Sequence, residues 1–122
     1  MQIESYKDLI VWKKGMMLVK DIYLSSNAFP KSEQFGLTSQ MRRAAISIPS
    51  NIAEGFQRRT IGDYLQFLSI AVGSSAELET QVILAKEIFP KINFDTSIML
   101  IVEIQKMLMT LIRKLRQRKQ LL

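Results

Sequence analysis

Four long stretches of this chain carry apolar residues three and four positions apart, which is the spacing of one face of an α-helix. Short polar connections separate the stretches, and no segment alternates apolar and polar residues as a half-buried strand does. Such a chain can bury its apolar faces only by packing helix against helix. We therefore predict an all-α protein, an antiparallel up-down-up-down four-helix bundle in which residues 1–122 form one domain.

The connections between the predicted helices carry recognisable start and stop signals. Thr60 and Asp63 have the spacing of a capping box ahead of the third helix. The first and third helices both run into Phe-Pro-Lys, at 29–31 and 89–91, and proline cannot continue a helix. The predicted helices cover about residues 8–26, 33–57, 61–88 and 96–118.

The segment MRRAAISIPSNIAEGFQRR, residues 41–59, has two interpretations because Pro49 stands in its middle. In the first, a helix stops at Ile48 and a new helix begins with Asn51 as its N-cap. In the second, the helix continues with a kink, at a cost of roughly 3 kcal/mol for the missing donor and the ring clash. The apolar positions keep one face on both sides of the proline: Leu37, Met41, Ala44, Ala45, Ile48, Ile52 and Phe56. We favour one helix kinked at Pro49, because a break would usually reset the rotation.

Continuity through the proline places polar side chains on a second stripe of the same helix. The stripe consists of Arg43, Ser47, Asn51, Glu54 and Arg58. On the third helix, Glu77 follows GSSA, whose small residues would let two helix backbones approach closely. We predict a polar network between helices or subunits in which one arginine of the stripe faces Glu77 or Glu54. A stripe that faces nucleic acid is the alternative.

Composition excludes several functional classes. The chain has no cysteine and no histidine, so disulfides, thiolate nucleophiles, Ser-His-Asp triads and the usual zinc sites are excluded. The five glycines are isolated, so there is no glycine-rich phosphate loop. We expect no enzymatic activity, no catalytic residue, no cofactor and no metal. The start of the chain does not resemble a signal peptide, and we expect a cytoplasmic protein without membrane insertion.

The positive charge of the chain lies near its C-terminus. Residues 1–90 carry ten basic and nine acidic side chains, whereas residues 91–122 carry seven basic and two acidic ones. The candidate nucleic-acid-binding residues are Arg113, Lys114, Arg116, Arg118 and Lys119, together with Arg42 and Arg59 as outward phosphate contacts. The last 28 residues contain no aromatic side chain for base stacking. We therefore expect salt-sensitive binding to the backbone of RNA or DNA. The helix dipole also favours cations at this position without any ligand.

The first and fourth helices are more apolar than one bundle core requires. The surplus residues are Ile10, Val11, Met17, Leu18, Ile22 and Leu24, and Met99, Leu100, Ile104, Met107 and Met109. Burial of each such side chain is worth roughly 1.5–3 kcal/mol. We predict a homo-oligomer that assembles through these two helices.

The segment SQMRRAAISIPSNIAEGFQRR, followed by DYLQFLSIAVGSSAELETQV, resembles bacterial four-helix-bundle proteins encoded in intervening sequences of 23S ribosomal RNA genes. Those proteins are similar in turn to the accessory variability determinant of diversity-generating retroelements. KDLIVWKKGMMLVKDIY and FPKSEQFGL fit the same pattern, so the resemblance covers about residues 6–90. It implies an up-down bundle in a ring-like homopentamer, with no known enzymatic activity and with nucleic-acid binding in the retroelement relative.

Two functions from different classes follow from these features. One is a nucleic-acid-binding accessory protein that contacts the RNA or DNA backbone. The other is a structural or scaffolding oligomer that binds a protein partner, such as a reverse transcriptase or a ribosomal component, without touching nucleic acid. Binding to structured RNA and duplex DNA at several salt concentrations separates the two.

Overall fold

The computed structural model describes residues 2–121 of the chain. Its four α-helices are α1 (Ile10–Ser26), α2 (Leu37–Phe56), α3 (Ile61–Ile88) and α4 (Asp95–Leu121). Short 3-10 helices, Tyr6–Asp8 and Lys31–Glu33, precede α1 and α2. No strand occurs among the described residues. The predicted all-α class and four-helix bundle are confirmed.

Each helix contacts two neighbours. The neighbouring pairs are α1 with α2, α2 with α3, α3 with α4, and α4 with α1, whereas α1 and α3 lie diagonally, with no pair of their Cα atoms within 8 Å. Between α1 and α4, Lys14 contacts Glu103 and Asp21 contacts Ser97, so contacts run in opposite order along the two helices. This order is that of antiparallel packing.

Helix α2 continues without interruption through Pro49. Met41 and Ile48 before the proline and Ile52 after it are all fully buried, so one apolar face does persist across it. Pro49 packs against Gly15 of α1. A Cβ added to Gly15 would lie 3.2 Å from the Pro49 Cβ. The prediction of a single helix is confirmed, and the kink at Pro49 stays a prediction.

The start of α2 differs from the prediction of about residue 33. Residues Lys31–Glu33 form a separate 3-10 helix, and Gly36 turns the chain into α2 with φ −111° and ψ −112°. The Glu33 side chain then accepts a hydrogen bond from the backbone N–H of Leu37. The helix therefore begins at Leu37. Helix α3 starts as predicted, since Thr60 Oγ1 accepts from the backbone N–H of Asp63 at 3.1 Å.

The two Phe-Pro-Lys segments meet at one end of the bundle. The Phe29 and Phe89 rings lie 4.9 Å apart between centroids, and Phe94 contacts Phe29 edge-on at 6.1 Å. Phe29 and Phe94 are buried. Contacts among the three phenylalanine rings thus hold the α1–α2 connection against the α3–α4 connection. The proline of each segment lies just after the end of a helix.

Helices α2 and α3 approach each other closely at Gly55. A Cβ on Gly55 would lie 2.8 Å from the Phe67 Cβ and 3.0 Å from Tyr64 Cδ1, closer than side chains tolerate. The segment GSSA does not have the predicted role throughout, because Gly73 is exposed and a Cβ there would meet nothing within 4 Å. Of the two glycines, only Gly55, in the C-terminal turn of α2, lies at a close contact between these helices.

A matched pair of glycine substitutions tests this contact. We expect Gly55→Ala to lower the free energy of unfolding by about 1–3 kcal/mol, because the new methyl group overpacks against Phe67. Gly73→Ala should raise it by about 0.5–1 kcal/mol, because alanine favours an exposed helix position. Urea denaturation of both variants at one protein concentration gives the comparison. Equal effects of the two substitutions would contradict the close approach at Gly55.

Burial raises the pKa of Tyr64, which packs edge-on against Phe56, to about 12. The unfolded chain ionises this phenol near pH 10, whereas the folded protein keeps it protonated. The free energy of unfolding should therefore fall between pH 10 and pH 12. Because part of the ring is exposed, we expect a loss of about 1–2 kcal/mol. Tyr64→Phe should remove that part of the pH dependence in denaturation curves. An unchanged slope between pH 10 and 12 would show that Tyr64 is not responsible.

Candidate nucleic-acid interface

The C-terminal turns of α4 lie beside the N-terminus of α3. Lys119 Nζ is 3.3 Å from the position that a Cβ on Gly62 would occupy. The turn that connects α2 to α3 carries Arg58 and Arg59 and lies at this same end. We call this group the basic end, and it comprises Arg58, Arg59, Arg113, Lys114, Arg116, Arg118 and Lys119. The fold therefore brings the predicted C-terminal cluster together with Arg59.

The C-terminal cations are exposed to solvent. Arg113 and Lys114 are exposed, and so is every residue from 116 to 121, beyond the last core residue, Leu115. Within residues 2–121 the ion pairs are Lys14 with Glu103 and Arg58 with Glu54. None of the five C-terminal cations takes part in either pair, so their charge is available to an external anion.

Arg58 and Arg59, at the C-terminal end of α2, have different environments. Arg59 is exposed in the α2–α3 turn. Arg58 donates to Glu54 at 3.0 Å, and its guanidinium lies 4.7 Å from the centroid of the Phe67 ring. Arg58 was predicted only as a member of the polar network, and it joins the basic end because the chain turns directly after α2.

Arg42 lies at the other end of the bundle. Its Nε donates to Ser26 Oγ at 2.9 Å and its Nη2 donates to Asn27 Oδ1 at 3.0 Å. The guanidinium also stacks on Tyr23, 4.4 Å from the ring centroid. Arg42 thus fastens the C-terminus of α1 to α2. Two of its donor groups therefore have internal partners, and a phosphate contact by Arg42 stays a prediction.

Lysines from two helices extend the positive surface along one side of the basic end. Lys13 of α1 and Lys106 and Lys114 of α4 line one groove, a cavity of about 610 Å³. Asp8 also lines it, but the Asp8 carboxylate accepts from the backbone N–H groups of Glu4 and Ser5. Sequence reasoning did not assign Lys13 to the site, because only the antiparallel contact of α1 with α4 brings it near Lys114.

The predicted polar stripe does join α2 to α3, through hydroxyl groups. Ser47 Oγ and Ser74 Oγ are 2.8 Å apart. The Asn51 side-chain amide donates to Ser47 O at 2.7 Å and to Ser47 Oγ at 2.9 Å. These hydrogen bonds surround the Pro49 turn and add a polar contact between the two helices.

The ionic part of the predicted network is corrected. Arg43, Ser47 and Glu77 line one polar cleft of about 350 Å³ between α2 and α3. Within the described part of the chain, however, no ion pair joins these two helices. Arg58 does pair with Glu54, one of the two predicted carboxylates, but both residues lie on α2. The periodicity correctly places these side chains on one stripe, but it does not determine which charges come within contact distance.

The sequence matches the family model of the 23S rRNA-intervening sequence protein over residues 7–110. The chain therefore belongs to the family of 23S rRNA-intervening sequence proteins. The match reaches well into α4, beyond the segment of about residues 6–90 on which the resemblance rested. No curated protein matches the chain.

A solved structure supports the same fold. It is a protein of unknown function from the S23 ribosomal protein family of Bacteroides thetaiotaomicron, with 24% sequence identity and a TM-score of 0.72. The alignment covers 84% of this chain and 98% of that one. Within residues 2–121, no helix is long and apolar enough to cross a membrane.

Proposed function

We propose that this protein is an oligomeric, non-enzymatic accessory protein that binds the phosphate backbone of RNA or DNA through its basic end. The observation that carries this proposal is the convergence of Arg59 and five exposed C-terminal cations at one end of the bundle. Clustered positive charge attracts polyanions more strongly than the same charges scattered over a surface.

The kind of contact follows from the side chains present. Arginine and lysine bind phosphate oxygens, which position a protein on nucleic acid without reading its sequence. The C-termini of α2 and α4 carry partial negative charge at this end, and the cations more than offset it. Because α4 has no aromatic residue, stacking on bases is absent from this helix. We expect weak sequence preference and strong salt dependence.

Membership of the family supports the choice of ligand without identifying it. The family is named for the intervening sequences of 23S ribosomal RNA, which is a structured RNA. Structured RNA is therefore the first ligand to test, with duplex DNA beside it.

An oligomer would carry one basic end on each of its copies. Large apolar side chains remain exposed on the helices predicted to assemble: Ile10, Met17 and Leu24 on α1, and Met99, Val102 and Met109 on α4. Burial of such side chains between copies would bring several basic ends to equivalent positions around one assembly. The resulting positive potential would exceed that of one chain.

A salt titration with matched variants tests the proposal. The first variant, R116Q/R118Q/K119Q, removes three exposed cations from the basic end, and the control, K31Q/K86Q/K91Q, removes three exposed lysines at the opposite end. Binding of structured RNA and duplex DNA is measured by fluorescence anisotropy between about 50 and 200 mM salt, the range in which phosphate contacts weaken most.

We expect the R116Q/R118Q/K119Q variant to bind more weakly and with a shallower dependence of log K on log salt. The slope should fall by about 0.9 for each duplex phosphate that the variant no longer neutralises. The control variant should keep the wild-type slope. Wild-type protein that fails to bind at about 50 mM salt, where such contacts are strong, would contradict the proposal and favour a scaffolding oligomer with a protein partner.

A further inference from the structure

Two side chains of opposite charge line the polar cleft between α2 and α3 without pairing. Arg43 of α2 and Glu77 of α3 share this cleft with Gln40, Ala44 and Ser47. Within residues 2–121, neither Arg43 nor Glu77 takes part in an ion pair. Both side chains are exposed, so each charge is open to a ligand that enters the cleft.

The register of the two helices places these charges at the same level. Ser47 Oγ lies 2.8 Å from Ser74 Oγ, on helices that are joined by a short turn and therefore run antiparallel. Arg43 lies about one turn before Ser47, and Glu77 lies about one turn after Ser74. A cavity of about 350 Å³ nevertheless remains at this level. That volume lies within the range of small-molecule sites, about 300–1,000 Å³.

The charges of the cleft match a ligand that has no net charge. Its lining contains one cation and one anion, and the other lining side chains are uncharged. A phosphate would be attracted by Arg43 and repelled by Glu77, whereas a polyamine would be repelled by Arg43. A zwitterion suits both residues. The planar guanidinium can donate two parallel hydrogen bonds to a carboxylate, and the Glu77 carboxylate can accept from an ammonium group.

A buried acceptor without a donor lies next to the cleft. Gln81 follows Glu77 by about one turn of α3 and is only 7% exposed. Its Oε1 is the one buried side-chain polar atom of residues 2–121 that has no hydrogen-bond partner. The antiparallel register places Gln81 level with Gln40 of the cleft lining. An unpaired buried acceptor costs free energy, so this end of the cleft favours a ligand that brings N–H donors.

We propose that the cleft between α2 and α3 binds a small amino-acid-like zwitterion, with its carboxylate on Arg43 and its ammonium group on Glu77. The bound zwitterion bridges the two helices where no ion pair of the described residues joins them. The inference goes beyond the proposed function and does not rest on it, because none of the cleft residues belongs to the basic end.

Saturation-transfer difference NMR on the full chain tests the site, because it detects ligand protons that contact the protein whatever its oligomeric state. The probes are glycine, γ-aminobutyrate and ε-aminocaproate, whose two charges lie progressively farther apart. Each is compared with the alkyl carboxylate and the alkyl amine that have the same number of carbon atoms, such as butyrate and butylamine for γ-aminobutyrate. We expect at least one zwitterion to bind about tenfold or more tightly than its single-charge analogues, which lack one charged hydrogen bond.

Two variants and two matched controls locate the bound ligand. R43Q and E77Q each remove one charge of the cleft, and each should lower the affinity for the zwitterion about tenfold or more. K20Q removes an exposed cation of α1, and E87Q removes an exposed anion of α3, both outside the cleft. The two control variants should keep the wild-type affinity. Circular dichroism checks that every variant remains helical, and R43A or E77A replaces a variant that does not.

The contrary outcomes are specific to the cleft. Absence of saturation transfer to all three zwitterions would overturn the proposal. Single-charge analogues that bind as tightly as the zwitterions would overturn it as well. R43Q and E77Q variants that keep the wild-type affinity would show that the ligand binds elsewhere, and the assignment to the cleft would be wrong. None of these results bears on the basic end, whose test uses nucleic acid and other residues.

Discussion

The structure depends on the uninterrupted passage of α2 through Pro49. Helix α2 contacts both α1 and α3, and its apolar face keeps one phase because the proline does not reset the rotation. Pro49 lies against Gly15, so the position that weakens the helix is also where α1 packs on it. The Ser47–Ser74 contact and the Gly55–Phe67 contact then fix α3 on the other side. A break at Pro49 would separate these contacts.

The antiparallel order that follows from this packing determines where the charges gather. The position of these cations near the C-terminus of the sequence does not by itself bring them close to residue 59. The four helices do so because the end of α4 returns to the start of α3, where Lys119 reaches Gly62. The same order leaves α1 and α3 on one diagonal of the bundle and α2 and α4 on the other.

The sequence predicted the parts of this fold that repeat along a helix. The buried apolar residues of α2 keep the same helical spacing on both sides of Pro49. Thr60 marks the start of α3 because its side chain caps that helix. It did not predict the start of α2, because Gly36 and a short 3-10 helix interrupt the pattern there. Nor did it predict the partners of Arg42 or the close approach at Gly55, since both depend on how neighbouring helices pack against each other. In the candidate site, the cations of α4 were identified from charge alone, whereas Arg58 and Lys13 required the tertiary structure.

The central claim, that nucleic acid lies against the basic end, has a direct test because the chain contains no cysteine. A single cysteine can carry an iron chelate that cleaves the backbone of nearby RNA. Gln117 is exposed among the cations of α4, and Gln34 is exposed at the opposite end of the bundle. The chelate on Q117C should cleave bound RNA, and the chelate on Q34C should not. Cleavage from Q34C with none from Q117C would contradict this assignment.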